Sequence, residues 1–112
     1  MTLGAREPSE ILALVEARLA DATVALSAGT GGAPLCRTES AVVAVKSAEG
    51  RAAALMQVRR GLRTETGDAA EVLLEWRRLR DAQGERHDRG WRAYWSGGIT
   101  ELERLVPDST PD

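Results

Sequence analysis

The sequence contains one cysteine, one histidine, no phenylalanine and no asparagine. Cys36 cannot form a disulfide within the chain, and a catalytic cysteine needs a histidine partner, for which only His87 is available. A metal site needs several ligands, and no pair of carboxylates stands at a telling spacing beside His87. We therefore predict no cofactor and no bound metal, and a protein that is more consistent with binding than with catalysis.

Long hydrophobic runs and an excess of basic charge are also absent. No apolar run approaches the roughly 18 residues of a membrane helix, and residues 1–8 lack the apolar segment of a signal peptide. We therefore expect a cytoplasmic protein with no membrane contact. The formal net charge of -2 makes nucleic acid an unlikely partner, because such domains usually carry a basic excess. Fourteen arginines against one lysine indicate a GC-rich, bacterial coding sequence.

Small aliphatic residues dominate the apolar part of the sequence, with 18 Ala, 13 Leu and 8 Val but only two Ile. Alanine favours helices more than any other residue. Few bulky side chains also leave less apolar area to stabilise a lone monomer. At 112 residues the chain is predicted to form one domain over 1–106 with a disordered tail at 107–112. A homo-oligomer or a protein partner is expected.

Hydrophobic periodicity predicts an all-α fold, a small three- to four-helix bundle. The expected helices span about 8–28, 39–62, 68–95 and 100–106. In the first, one apolar stripe is formed by Leu12, Val15, Leu19, Ala22 and Leu26. The third is expected to be kinked or broken near Gly84.

Residues 41–58 can be interpreted in two ways. Alanine-rich composition favours a helix, whereas the β-branched Val42, Val43 and Val45, followed by the sequence SAEGR, also suit a hairpin. A second hairpin could pair LLEWRRLRD with HDRGWRAYW. The alternative fold is therefore α+β, with an N-terminal helix and one or two β-hairpins.

Two start signals place the last helices. Asp68 and Glu71 form a D-x-x-E variant of the capping box, which predicts a helix beginning at Asp68. Thr100 and Glu103 repeat this spacing after Gly97 and Gly98, so a separate short helix is predicted at 100–106. Pro107 would end it.

The segment 68–94 is rich in arginine, yet its charges balance. Six arginines (77, 78, 80, 86, 89, 92) face six acids (68, 71, 75, 81, 85, 88). Glu85 and Asp88 each precede an arginine by four residues, which is the favourable order for ion pairs on a helix. We interpret this face as solvated and internally paired. Binding of single-stranded nucleic acid by arginine and interleaved aromatics remains an alternative.

Aromatic residues concentrate at the far end of this segment, where Trp91, Tyr94 and Trp95 fall within five residues. They either close one end of the core or anchor a partner, because Trp, Tyr and Arg dominate interface energetics. The candidate partner-binding residues are Trp76, His87, Trp91, Arg92, Tyr94 and Trp95. The leading hypothesis is a non-enzymatic protein–protein interaction or assembly subunit. The alternatives are a nucleic-acid-associated helical protein using the Arg/Trp face and a small enzyme with a pocket near His87.

Overall fold

The computed structural model describes residues 7–30, 39–83 and 89–106, and within them α-helix is the only regular secondary structure. The four helices are α1 (Pro8–Thr30), α2 (Glu39–Thr64), α3 (Ala69–Gln83) and α4 (Arg89–Leu105). The prediction of an all-α helical bundle is confirmed. The α+β alternative is wrong, since both segments considered as hairpins are helical in the residues described.

Helix α2 continues through Gly50 and past Gly61, two residues longer than predicted. It ends in a C-terminal cap at Glu65, which has a left-handed φ of 55°. The backbone N–H of Thr66 donates to the carbonyl oxygen of Gly61 at 3.0 Å, the six-to-one hydrogen bond of a Schellman motif. Cap geometry is thus supplied by Glu65 rather than by a glycine.

Helix α3 begins as its start signal predicts. The backbone N–H of Glu71 donates to Asp68 Oδ1 at 2.9 Å, so Asp68 caps the first turn. Helix α3, described to Gln83, and helix α4, described from Arg89, pack against each other, so the segment 68–95 does not form one continuous helix. Gly84 and the expected position of the break lie outside the described residues.

The prediction of a separate helix at 100–106 is wrong. Helix α4 runs unbroken from Arg89 to Leu105 through both Gly97 and Gly98, and Thr100 lies inside it rather than at a cap. These two glycines are buried, and they allow neighbouring helices to approach closely. Packing therefore outweighs the low helix propensity of glycine, which is about 1 kcal/mol per residue relative to alanine.

Helices α2 and α4 form the most extensive pair, α1 packs mainly against α2, and α3 packs mainly against α4. Helices α2 and α4 run parallel, because Ser47 and Arg51 of α2 lie against Gly97 and Glu101 of α4. The other neighbouring pairs are antiparallel. The largest buried cluster consists of Val15, Ala54, Leu55, Val58, Ala69, Leu73, Trp76, Ile99, Leu102 and Leu105.

Two predictions about the organisation of the whole chain stay predictions. The single domain over 1–106 stays a prediction, and the tail at 107–112 lies outside the described residues. Of the four described helices, none combines the length and the apolar character needed to cross a membrane.

Candidate functional site

The four aromatic side chains meet in one cluster, which joins α3 to the N-terminal half of α4. Tyr94 is its centre. Its ring stacks on Trp76 of α3 with centroids 5.5 Å apart and planes inclined by 18°. The ring of Trp95 meets both Tyr94 and Trp76 edge-on, at 5.3 and 5.2 Å. Such offset and edge-to-face contacts are favourable beyond the area they bury.

Trp91 extends this cluster to the surface. Its ring meets the Tyr94 ring at 5.3 Å in a T-shaped contact, and Lys46 Nζ lies 4.6 Å from its centroid. This cation–π contact holds the ring from the α2 side. The side chain is nevertheless 40% exposed, and Val42, one turn before Lys46 on α2, is 43% exposed. An aromatic and an aliphatic group therefore share one surface at this end of the bundle.

The polar atoms of the cluster differ in their surroundings. Trp76 Nε1 donates to Gln57 Oε1 at 2.6 Å. Trp95 Nε1 is buried without a hydrogen-bond partner. Burial raises the pKa of the Tyr94 hydroxyl, and the charge of Glu49 raises it further, while Lys46 lowers it. The Tyr94 ring therefore stays neutral and can serve as an apolar support for Trp91.

The predicted partner-binding residues take different positions. Trp76 is only 4% exposed and supports the cluster from the core, while Tyr94 and Trp95 are partly buried. Trp91 and Arg92 reach the surface. His87 lies outside the described residues. That any of them binds a partner stays a prediction.

Two grooves follow α4 beside this cluster. The first, of about 730 Å³, lies between α2 and α4 and is lined by Val43, Ala44, Ser47, Arg89, Arg92, Ala93 and Ser96. The second, of about 600 Å³, lies between α3 and α4 and is lined by Arg80, Asp81, Arg92, Trp95, Ser96, Ile99, Thr100 and Glu103. Both volumes suit a ligand or an inserted side chain. Arg92 and Ser96 line both, so the two grooves adjoin along the outer face of α4.

The arginines of α3 are mixed with acids rather than segregated from them. Arg77 Nη2 donates to Glu103 Oε2 at 2.9 Å. Arg78 Nη2 donates to Glu75 within α3 at 2.7 Å, and Arg80 Nε donates to its neighbour Asp81 at 3.1 Å. Binding of a nucleic-acid backbone needs cations without matched acids. This arrangement does not provide them on α3.

A buried carboxylate lies farther along α4, where α1, α2 and α4 meet. Glu101 is 1% exposed, and its two oxygens accept four hydrogen bonds. Arg18 Nε and Nη2 donate at 3.0 and 3.2 Å, Arg51 Nε at 2.9 Å and Arg104 Nη1 at 3.4 Å. Arg51 Nη2 also donates to the exposed Asp21 at 2.7 Å. A buried carboxylate is tolerated when it is fully paired in this way.

The pKa of Glu101 reflects these opposing effects. Burial acts to raise it, but the hydrogen bonds and charges of Arg18 and Arg51 hold it below the ordinary value of 4.5. A carboxyl whose pKa is lower in the folded state stabilises the fold above its unfolded pKa, and this contribution is lost as the pH falls through the folded pKa. Acid should therefore weaken the junction of α1, α2 and α4.

We expect the free energy of unfolding to fall as the pH drops below 4.5, and to fall less steeply in Glu101→Gln. The measurement is urea unfolding followed by circular dichroism at several pH values. Asp21, whose pKa is lowered chiefly by its hydrogen bond with Arg51, should leave part of the slope in that variant. An identical slope in both proteins would contradict the role given to Glu101.

The sequence analysis did not find Glu101, although a signal was present. Glu101 lies seven residues after Tyr94 and four before Leu105, which places an acid on the inward stripe of one helix. Arg18 stands similarly beside the apolar stripe of α1. Because Thr100 and Glu103 suggest a helix start, the sequence alone does not show that Glu101 belongs to the same helix as Tyr94.

Among the described residues, no group of three His, Cys, Asp or Glu side chains could hold a metal ion.

The hypothesis of an enzymatic pocket near His87 depends on a residue outside the described part of the chain, so it stays a prediction. Two surface sites are candidates for binding: the aromatic cluster with its two grooves, and the cleft above Glu101. Comparisons with protein-family models, curated proteins and solved structures gave no match to this chain.

Proposed function

We propose that this chain is a non-enzymatic protein–protein interaction subunit that binds its partner through the surface around Trp91. The observation that carries the proposal is the way this ring is held. It is exposed, yet Tyr94 fixes its edge and Lys46 covers its face. An aromatic ring fixed before binding loses little conformational entropy when a partner covers it. Exposed tryptophan is also among the residues that contribute most to interface energies.

The surroundings of Trp91 support the same proposal. Val42 adds an exposed aliphatic group, and the groove between α2 and α4 adds Val43, Ala44 and Ala93. Apolar groups flanked by Arg92 and Ser96 resemble the centre and rim of a protein interface. The partner is expected to insert an apolar side chain into this groove while packing another against the Trp91 ring.

Trp91→Ala is expected to weaken partner binding or self-association strongly while the fold is retained. Removing an interface anchor of this type costs about 2 kcal/mol or more, which weakens binding by roughly thirtyfold. The matched control is Leu74→Ala, because Leu74 is an exposed apolar residue on α3 and not part of the aromatic cluster. Circular dichroism would verify that both variants remain helical.

Two measurements distinguish self-association from a different partner. Size-exclusion chromatography with light scattering over a concentration series tests for oligomers of the wild type and both variants. Affinity capture from the native host, followed by reconstitution with the purified partner, tests for a second protein. Binding by the wild type and Leu74→Ala, but not by Trp91→Ala, supports the proposal. A strict monomer whose captured proteins are the same in all three forms would refute it.

A further inference from the structure

The cleft above Glu101 lies where α1, α2 and α4 meet and has a volume of about 300 Å³. Its lining is mostly polar and includes the three guanidinium groups of Arg18, Arg51 and Arg104, with the hydroxyl groups of Ser47, Ser96 and Thr100. We infer that this cleft is a binding site for a small tetrahedral oxyanion, inorganic phosphate or a phosphate monoester. A cleft of this volume has room for such an anion.

Hydrogen-bond donors exceed acceptors in this cleft. A guanidinium group carries five N–H donors, and the three arginines use only five of theirs, on Glu101 and Asp21. The two oxygens of Glu101 already accept four hydrogen bonds, which fills the capacity of a carboxylate. Glu101 therefore has no capacity left for the remaining donors, which are open to solvent, and an oxyanion that enters the cleft can accept hydrogen bonds from several of them.

The net charge of the cleft also favours an anion. The charged groups lining the cleft are three arginines and two acids, Glu101 and Asp21, which leaves one net positive charge. Glu101 lies at the bottom and is 1% exposed, whereas the Asp21 side chain is 61% exposed. An anion can therefore take over the Asp21 position on Arg51 while Asp21 turns to solvent, which increases the positive charge facing the anion.

Glu101 acts in this arrangement as a positioning residue. Arg18 comes from α1, Arg51 from α2 and Arg104 from α4, and each donates to the same carboxylate. Their long side chains would otherwise lose much rotamer freedom when an anion binds. Fixing them on one buried carboxylate reduces that cost, since the donors already face the cleft. Bidentate contact by arginine is the usual means of oxyanion recognition.

The test is an NMR titration of the full chain with inorganic phosphate, with chloride added to keep the ionic strength constant. We expect saturable shifts of the backbone amides of Gly97, Ser96 and Thr100. Arg104→Ala should weaken the affinity by about tenfold or more, because a hydrogen bond to a charged group is lost. This variant should fold, since Arg104 is 54% exposed and makes only one contact of 3.4 Å with Glu101.

Two further variants make the result decisive. Asp21→Asn removes the competing carboxylate and should tighten phosphate binding. Arg78→Ala removes an exposed arginine that pairs with Glu75 on α3, and its affinity should equal that of the wild type. Shifts that do not saturate, or equal affinities in Arg104→Ala and Arg78→Ala, would overturn the inference and leave only an effect of ionic strength. The outcome is independent of Trp91.

Discussion

Replacing Trp76 by alanine is expected to lower the free energy of unfolding by about 3–5 kcal/mol, the usual cost of truncating a buried tryptophan. The side chain is 4% exposed, stacks on Tyr94 and meets the edge of Trp95. Its ring also packs directly against Gly98 of α4. Small domains are stable by only about 5–15 kcal/mol, so this one change should leave the protein close to unfolding. Urea unfolding followed by far-UV circular dichroism measures it.

Trp91→Ala is the matched control for Trp76→Ala, because both remove an indole from the same cluster. Trp91 is 40% exposed, so truncating it removes much less buried area and should cost only about 1 kcal/mol. Trp76→Ala should also weaken partner binding indirectly, since Tyr94 would lose the ring that supports it. Equal losses of stability in the two variants would contradict the division of the cluster into a buried base and an exposed anchor.

Local sequence signals predicted that this chain forms helices, but they did not predict where the last helix, α4, begins and ends. The apolar stripe of α1 and the cap at Asp68 act within a few residues, and both are found as expected. The sequence predicts a break at Gly97 and Gly98, because adjacent glycines usually interrupt helices. Their actual role depends on residues far away in the sequence, Ser47 and Trp76. A local pattern contains no information on such contacts.

The candidate site also has a part that is predictable from the sequence and a part that is not. The spacing of Trp91, Tyr94 and Trp95 brings them together on one turn of a helix, so their cluster was predictable from sequence. That Trp76 would lie beneath Tyr94, and that Lys46 would cover Trp91, follows from the packing of α2 and α3 against α4. Partners that come from three separate helices cannot be paired from spacing alone.

Helices α2 and α4 approach each other closely at Gly50. A Cβ atom at this position would collide with the backbone of Tyr94, lying 2.7 Å from its carbonyl carbon and 2.9 Å from its Cα, with the carbonyl oxygen nearer still. Gly97 plays the reciprocal part on α4, because a Cβ there would lie 2.5 Å from the carbonyl oxygen of Ser47. Backbone atoms cannot rotate away as a flexible side chain can. The two helices would have to separate.

We therefore expect Gly50→Ala to lower the free energy of unfolding by about 3 kcal/mol, as overpacking of a close interface does. Alanine favours an isolated helix over glycine by about 1 kcal/mol. A loss of stability in Gly50→Ala would therefore show that the collision with Tyr94 outweighs helix propensity. Gly67→Ala is the control, since its Cβ would meet only the flexible end of Glu71 at 3.3 Å. Urea unfolding of both variants gives the comparison. If Gly50→Ala proved as stable as the wild type, the backbone contact with Tyr94 could not be what holds α2 against α4. The rings of Tyr94 and Trp91 would then owe their position to side-chain packing alone.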